Sequence, residues 1–532
     1  MRLAPSQLTI REIIGQLMMP MLPDTPELSK PEVWKQVVED QEKYTFGGYI
    51  VFRADWAETP PLMEELQDLS EIPLLYSSDL ERGAGQQFAG ATNFPAVMSL
   101  GAARDPDLAY QQGAITALEA RRAGVHWVFA PTLDLVTQPE NPIINVRGFG
   151  DEPRNVGLMG AAFIEGMQRH GALACAKHFP GHGETSVDSH EELPVVGVSR
   201  HKMELGDLVP FRHCIEAGVK SIMVGHLAVP ALDENGLPAS MSTRMVADLL
   251  RGQMGFKGLV VTDALNMGAI AGRFEPGYAA VRALQAGVDV LLMPPDPEAV
   301  VTAVLRSIEE GGLSKARLLE SVERIFQAKY EVGLWRYDDE EETGLPAVWP
   351  DYAPAVEAIA EGAITLVSAT DGLLPLQADG TYCSLVLDDD EDLDAQAGWR
   401  QALADHPDLP IRVLTNADDE AAIEAAVAQA AAFGTVLVPA FMAVRAWKNR
   451  VSLPPLLASV PDRLRAAGAK VVVVSFTSPF LLRQFPGVDA YVCAYSPNPA
   501  SQRAAVRALF GELPFVGRLP VNPAHLGEPT AR

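Results

Sequence analysis

Cysteine is scarce, with four residues in 532, at positions 175, 214, 383 and 493, and none in C-x-x-C spacing. That distribution fits neither a disulfide framework nor a zinc cluster, and reduced, buried thiols are the simpler expectation. Basic residues are also short: 42 Lys plus Arg stand against 69 Asp plus Glu, a net charge of −27. The sign is wrong for a general binder of nucleic acid or of an anionic membrane. No run of about 18 uncharged apolar residues appears. The N-terminal stretch carries Arg11, Glu12 and Gln16, which break up a signal-peptide core. A dinucleotide loop is missing too, because Gly83 and Gly85 are followed by Phe88 where G-x-G-x-x-G needs its third glycine. The expectation is a cytoplasmic protein acting on a small substrate, with no nucleic-acid and no membrane partner.

What is present is enough apolar chain for large cores, 48% hydrophobic against 21% charged, far from the composition of disorder. Apolar, β-rich runs recur at 48–52, 72–76, 125–129, 173–176, 221–224, 258–261 and 288–293, each followed by a helix-like segment. Continuous apolar runs of this kind predict strands buried on both faces of a parallel sheet. Polar residues stand where the strands should end: Arg53, Asp79, Asp134, Lys177, His178, His226, Asp263 and Asp296. A (β/α)8 barrel assembles its active site in that way, at the C-terminal ends of its strands. The predicted architecture is therefore α/β, a TIM-like barrel over 1–337. An acidic, proline-rich linker follows at 338–354, then a smaller α/β sandwich domain over 355–532. In that domain SLVLDD, IRVLTN, TVLVPAFM, KVVVVSF and AYVCAYS read as strands, 420–433 as a helix and the acidic run Asp388 to Asp394 as a solvated loop.

The densest chemistry is KHFPGHGETSVDSHEELP (177–194), which leaves a strand and enters a loop containing Gly181 and Gly183. Lys177 and His178 adjoin the strand end, where a lysine can donate to hydroxyls. Asp188 lies two residues before His190, close enough to accept from the imidazole and fix its tautomer, so the pair reads as a general acid/base dyad. Glu184 is the next acid candidate in the same loop. His178, His182, Asp188 and His190 also have the donor chemistry of a metal site. The spacing fits no helical ligand pair, however, and Lys177 repels a cation; no metal and no cofactor is expected. Asp263, ending the run GLVVTD, is either a helix cap or a nucleophile. Beside a histidine acid/base it supplies the oxygen that double-displacement glycoside cleavage needs. Asp79 and Arg147 complete a pocket suited to hydroxyls, one accepting and one donating.

With these residues in place the sequence resembles glycoside hydrolase family 3, specifically its bacterial β-N-acetylglucosaminidases. The resemblance rests on 177–194, APTLDL (130–135), NPIINVRGFGDEP (141–153), MVGHLAVPALD (223–233), PASMS (238–242) and GLVVTDALNMGAI (258–270). The tail from 361 to 521 is similar to the family's C-terminal α/β domain. The resemblance implies that Asp263 is the nucleophile, His190 the acid/base and Asp188 its partner. It implies that Asp79, Arg147, Lys177 and His178 hold a terminal N-acetylglucosamine. The implied substrates are N-acetylglucosaminyl muropeptides or chitooligosaccharides, and the implied role is peptidoglycan recycling. At 79–87 the chain keeps the aspartate but rearranges the arginines of the family's pattern, which alters contacts beyond the first sugar. A retaining phosphorylase, a broader β-glycosidase of the same family and a non-catalytic sugar-binding protein are the alternatives.

Overall fold

The computed structural model describes residues 4–185, 189, 191–335, 345–346, 348–377, 380–389, 395–406, 409–442 and 451–527. The chain divides into two compact units. One joins Met1–Asn93, Ala109–Leu135 and Val156–Tyr352; the other joins Phe94–Leu108, Val136–Asn155 and Ala353–Arg532. The units are thus discontinuous in sequence. Segments 94–108 and 136–155, expected within a contiguous 1–337 domain, cluster with the second unit, and of the expected linker 338–354 residues 338–344 and 347 lie outside the described residues.

The first unit is a ring of parallel strands: β1 (Met18–Met19), β2 (Gly48–Ile50), β3 (Leu75–Ser78), β4 (Trp127–Val128), β5 (Leu173–Phe179), β6 (Ser221–Val224), β7 (Leu259–Thr262) and β8 (Leu291–Leu292). Strands β2 through β7 pair in chain order. Two further contacts close the ring. β1 pairs in parallel with β8 through Met18↔Leu291 and Met19↔Leu292, while bridges Met21↔Ile50 and Val261↔Val290 join β1 to β2 and β7 to β8. Closure explains the unbroken apolar runs, since each strand is covered by the barrel interior on one side and by helices on the other. β3, β5, β6 and β7 are buried at every position. Below the ring, Asp289 is fully buried and accepts from Arg251 Nη2 at 2.6 Å, Ser321 Oγ at 2.6 Å, Arg324 Nη1 at 2.9 Å and the Val260 amide at 3.0 Å.

The second unit carries β9 (Thr365–Ala369), β10 (Tyr382–Asp388), β11 (Ile411–Thr415), β12 (Thr435–Phe441), β13 (Lys470–Ser475) and β14 (Ala490–Cys493), in the sheet order β9-β14-β13-β12-β10-β11. Only the edge strand β9 runs antiparallel. Alternate residues enter two separate cores: Leu385, Val436 and Val471 on one face, Val386, Leu437 and Val472 on the other. Both faces of the sheet are therefore covered, as the apolar runs predict. Of the acidic run, Asp388 and Asp389 are buried at the end of β10 and are not part of a solvated loop, while 390–394 lie outside the described residues. All four cysteines are free and buried.

Candidate active site

The C-terminal ends of β3, β4, β5, β6 and β7 present polar groups to one mouth, and β5 supplies the core of it. Its apolar start, Leu173–Ala176, is buried on both faces and continues past the expected end to Phe179, which carries Lys177 and His178 inside the strand. Lys177 is only 2% exposed, and its Nζ donates to Asp79 Oδ1 at 2.6 Å and to Glu81 Oε1 at 2.7 Å. A buried amine held by two carboxylates is fixed in direction. Glu81, also buried, receives the Thr132 hydroxyl at 3.4 Å and offers its backbone carbonyl to Gln112 at 3.1 Å.

Asp134, beyond β4, organises the start of the loop. It accepts from His178 Nδ1 at 2.7 Å, from the His178 amide and, at 2.6 Å, from the His182 amide. Burial pushes its carboxyl up, but the facing charge and hydrogen bond of His178, with His182 beside it, hold it below the ordinary carboxylate value. His182 is a strut. Its Nδ1 is 2.7 Å from Thr185 Oγ1 and its Nε2 is 3.0 Å from Ser189 Oγ, and burial drives its pKa down to about 4. Ser189 in turn receives the Ala269 amide on its carbonyl at 3.2 Å, so the segment between Asp188 and His190 is tied to the chain that follows Asp263. Asp188 and His190 themselves lie outside the described residues. Glu184 Oε1 is paired with Lys202 Nζ at 2.8 Å. Asp207, absent from the sequence expectations, is buried against the loop's Gly181, with a pKa pushed up to about 7 by burial and by Glu184.

Asp263 follows β7, half-buried, with its amide donating to Val224 O at 3.0 Å and its Oδ1 receiving the Ala264 amide at 2.8 Å. It caps no helix: the next two helices, Gly268–Ala271 and Pro276–Ala286, have Met267 and Glu275 at their N-caps. Its charge reaches the His182 ring, raising that pKa against the effect of burial. His226, after β6, is fully buried and contacts Ser240 Oγ and Ala264 O through its two ring nitrogens. Among the described residues no three His, Cys, Asp or Glu side chains gather in metal-ligand geometry.

Two of the expected strand-end residues have other employment. Arg53 is exposed and pairs with Asp24 at 2.8 Å, and Asp296 caps the helix Pro297–Glu309 by accepting from the Ala299 amide. Arg147 belongs to the second unit, in a 3-10 turn over Asn145–Arg147, where Nη1 donates to Ile143 O at 3.1 Å. Asp207 gave no recognisable signal in sequence; for Glu81 the available hint was an acidic residue two positions beyond Asp79.

Comparison with known proteins agrees with this geometry. The glycosyl hydrolase family 3 N-terminal domain matches residues 9–328. A beta-N-acetylglucosaminidase/beta-glucosidase of Cellulomonas fimi is 30% identical over 499 residues, covering 90% of this chain and 88% of its own length. The solved structure of a glycoside hydrolase family 3 beta-N-acetylglucosaminidase from Paenibacillus sp. aligns at TM-score 0.85 and 31% identity, covering 97% of this chain and 99% of that one. A beta-glucoside phosphorylase, BglX, bound to 2FGlc, aligns at TM-score 0.87 and 25% identity, covering 98% and 95% of the two chains. No helix among the described residues is long and apolar enough to cross a membrane.

Proposed function

The chain belongs to glycosyl hydrolase family 3 and is a glycoside hydrolase; on that premise we propose that it is a retaining, exo-acting β-N-acetylglucosaminidase that removes terminal N-acetylglucosamine, with peptidoglycan fragments as its substrates. In the first step an Asp263 carboxylate oxygen bonds to the anomeric carbon while the bond to the leaving oxygen breaks, and His190 passes its proton to that oxygen. In the second, neutral His190 takes a proton from water, whose oxygen displaces the Asp263 carboxylate and frees the sugar. Asp188 accepts from the imidazole and supports its charged form. Asp79, Lys177 and His178 hold the sugar hydroxyls.

The observation that carries this reading is Asp263 itself, a carboxylate at the end of a buried barrel strand, at the N-cap of neither following helix and ahead of the segment tied to Ser189. The sugar preference draws on the relatives' names. Comparing turnover of aryl β-N-acetylglucosaminide with aryl β-glucoside tests it. The reading predicts a strong preference for the N-acetyl sugar, and equal rates would move the enzyme to a broader β-glycosidase. A phosphorylase is the second reading, favoured by the likeness to a solved beta-glucoside phosphorylase and by a histidine acid/base, which does not repel phosphate as a carboxylate does. Formation of a sugar 1-phosphate when phosphate is added would establish it.

A further inference from the structure

We infer that His226 is a positioning residue for the nucleophile, holding the turn that carries Asp263 through the Ala264 carbonyl; this rests on the reading of Asp263 as nucleophile. The turn is fixed from three sides. The Asp263 amide donates to Val224 O on β6 at 3.0 Å, and the Leu265 amide donates to Leu292 O on β8 at 2.9 Å. Between these backbone ties lies the Ala264 carbonyl, and His226 Nε2 stands 3.0 Å from it. A carbonyl can only accept, so Nε2 carries the hydrogen. In the neutral ring Nδ1 is then the acceptor for the Ser240 hydroxyl at 2.8 Å.

The neighbouring fold keeps the ring in that orientation. Beyond His226 the chain bridges back on itself through Ala228↔Pro238, and the Ala239 amide donates to Leu227 O at 2.8 Å. Ser240 is thereby carried to the ring inside a 3-10 turn, Ala239–Met241, buried throughout. Neither His226 nor Ser240 has any exposed surface, so the link from Ser240 through His226 to Ala264 is shielded from water. A strong directional bond in such a place fixes the peptide next to the nucleophile. The Ala264 amide in turn holds Asp263 Oδ1 at 2.8 Å, so the set of the Ala264 residue reaches the attacking carboxylate directly. The sequence shows the same pieces, MVGH (223–226) and PASMS (238–242), with no hint that they meet.

Two substitutions separate the bond that matters from simple loss of the ring. In His226→Gln the amide nitrogen reaches the place of Nε2 and restores the donor to Ala264. In His226→Asn the shorter amide reaches the place of Nδ1, keeps a partner for Ser240 and abandons Ala264. The His226→Asn variant should lose about 10 to 100-fold in kcat with KM nearly unchanged, the effect of a nucleophile set slightly out of line. Reaction with a slow fluorinated glycosyl donor should slow by the same factor. His226→Gln should stay within about threefold of wild type on both measures. Equal losses in the two variants, or no loss in either, would overturn the inference. If the Asn variant does not fold, Ser240→Ala carries the test: a lower kcat at unchanged KM supports the inference and an unchanged kcat overturns it. The nucleophile reading is checked separately, by locating the glycosyl adduct in the wild-type protein.

Discussion

At the scale of single residues the site is governed by which carboxylates are matched and which are not. Lys177 is held between Asp79 and Glu81 at hydrogen-bond distance, so its ammonium is fixed before substrate arrives. Glu81→Gln removes one anchor while keeping the shape. Loosened in this way, Lys177 should bind the sugar less well, and kcat/KM should fall about tenfold, equivalent to about 1.4 kcal/mol, mostly through KM. A change confined to kcat would contradict this. Asp207 is the opposite case, a buried carboxyl with Oδ1 unpartnered among the described residues and a pKa raised to about 7. Its folded pKa exceeds its unfolded one, so the protonated form contributes stability at low pH that is lost as pH rises through 7. His182 works in the other direction. With a folded pKa of about 4, it costs stability as pH falls from its unfolded value of about 6.5 towards 4. Denaturation across pH should therefore show Asp207→Asn gaining on wild type between about pH 4 and pH 7 and levelling off above it, and a constant difference across that range would refute the assignment. Asp79, Lys177 and Asp263 were legible because charge at the end of an apolar run is rare enough to notice. Glu81 and Asp207 act through burial and packing, which no local pattern records.

At the scale of elements, the loop that leaves β5 depends on two close approaches. A Cβ at Gly183 would lie 1.7 Å from the Leu135 carbonyl oxygen, and one at Gly181 would lie 2.7 Å from Asp207 Cβ. Gly183→Ala must push the chain off Leu135, next to Asp134, which receives the His178 and His182 amides. Activity should fall by about tenfold or more through misplacement of the loop, with the circular dichroism of the fold retained; wild-type kcat in that variant would show the approach to be unimportant. The run of strands was legible over β2 to β8, because each is long or apolar enough to be seen. β1 escaped notice. It is two residues long in QLMMPMLP, where Pro20 and Pro23 just beyond it suggest a loop and only pairing with β8 reveals a strand. β9 was missed for a related reason: as an antiparallel edge strand it is only partly buried and lacks the continuous apolar run of its neighbours.

At the scale of the whole molecule, the first unit closes as a ring whose seam lies between β8 and β1, and Asp289 at the base of β8 gathers Arg251, Ser321, Arg324 and the Val260 amide. Removing it leaves several partly buried cations uncompensated. Asp289→Ala should lower the unfolding free energy by about 3 kcal/mol, the low end for a broken buried pair because the arginines retain some exposure. The surviving folded fraction should keep wild-type kcat. A change below about 1 kcal/mol in chemical denaturation would show the cluster to be incidental. The discontinuous units could not be read from sequence, since 94–108 and 136–155 join the second unit through packing between residues far apart in the chain, as in the core that groups Met98 and Ile144 with Leu385 and Val436. The central claim of the account is that Asp263 attacks the anomeric carbon. Its most direct test is mass-spectrometric mapping of the adduct formed when the wild-type protein is trapped with a slow fluorinated glycosyl donor: the account predicts one sugar on the peptide containing Asp263, attached at that carboxylate, whereas an adduct on any other residue would contradict it.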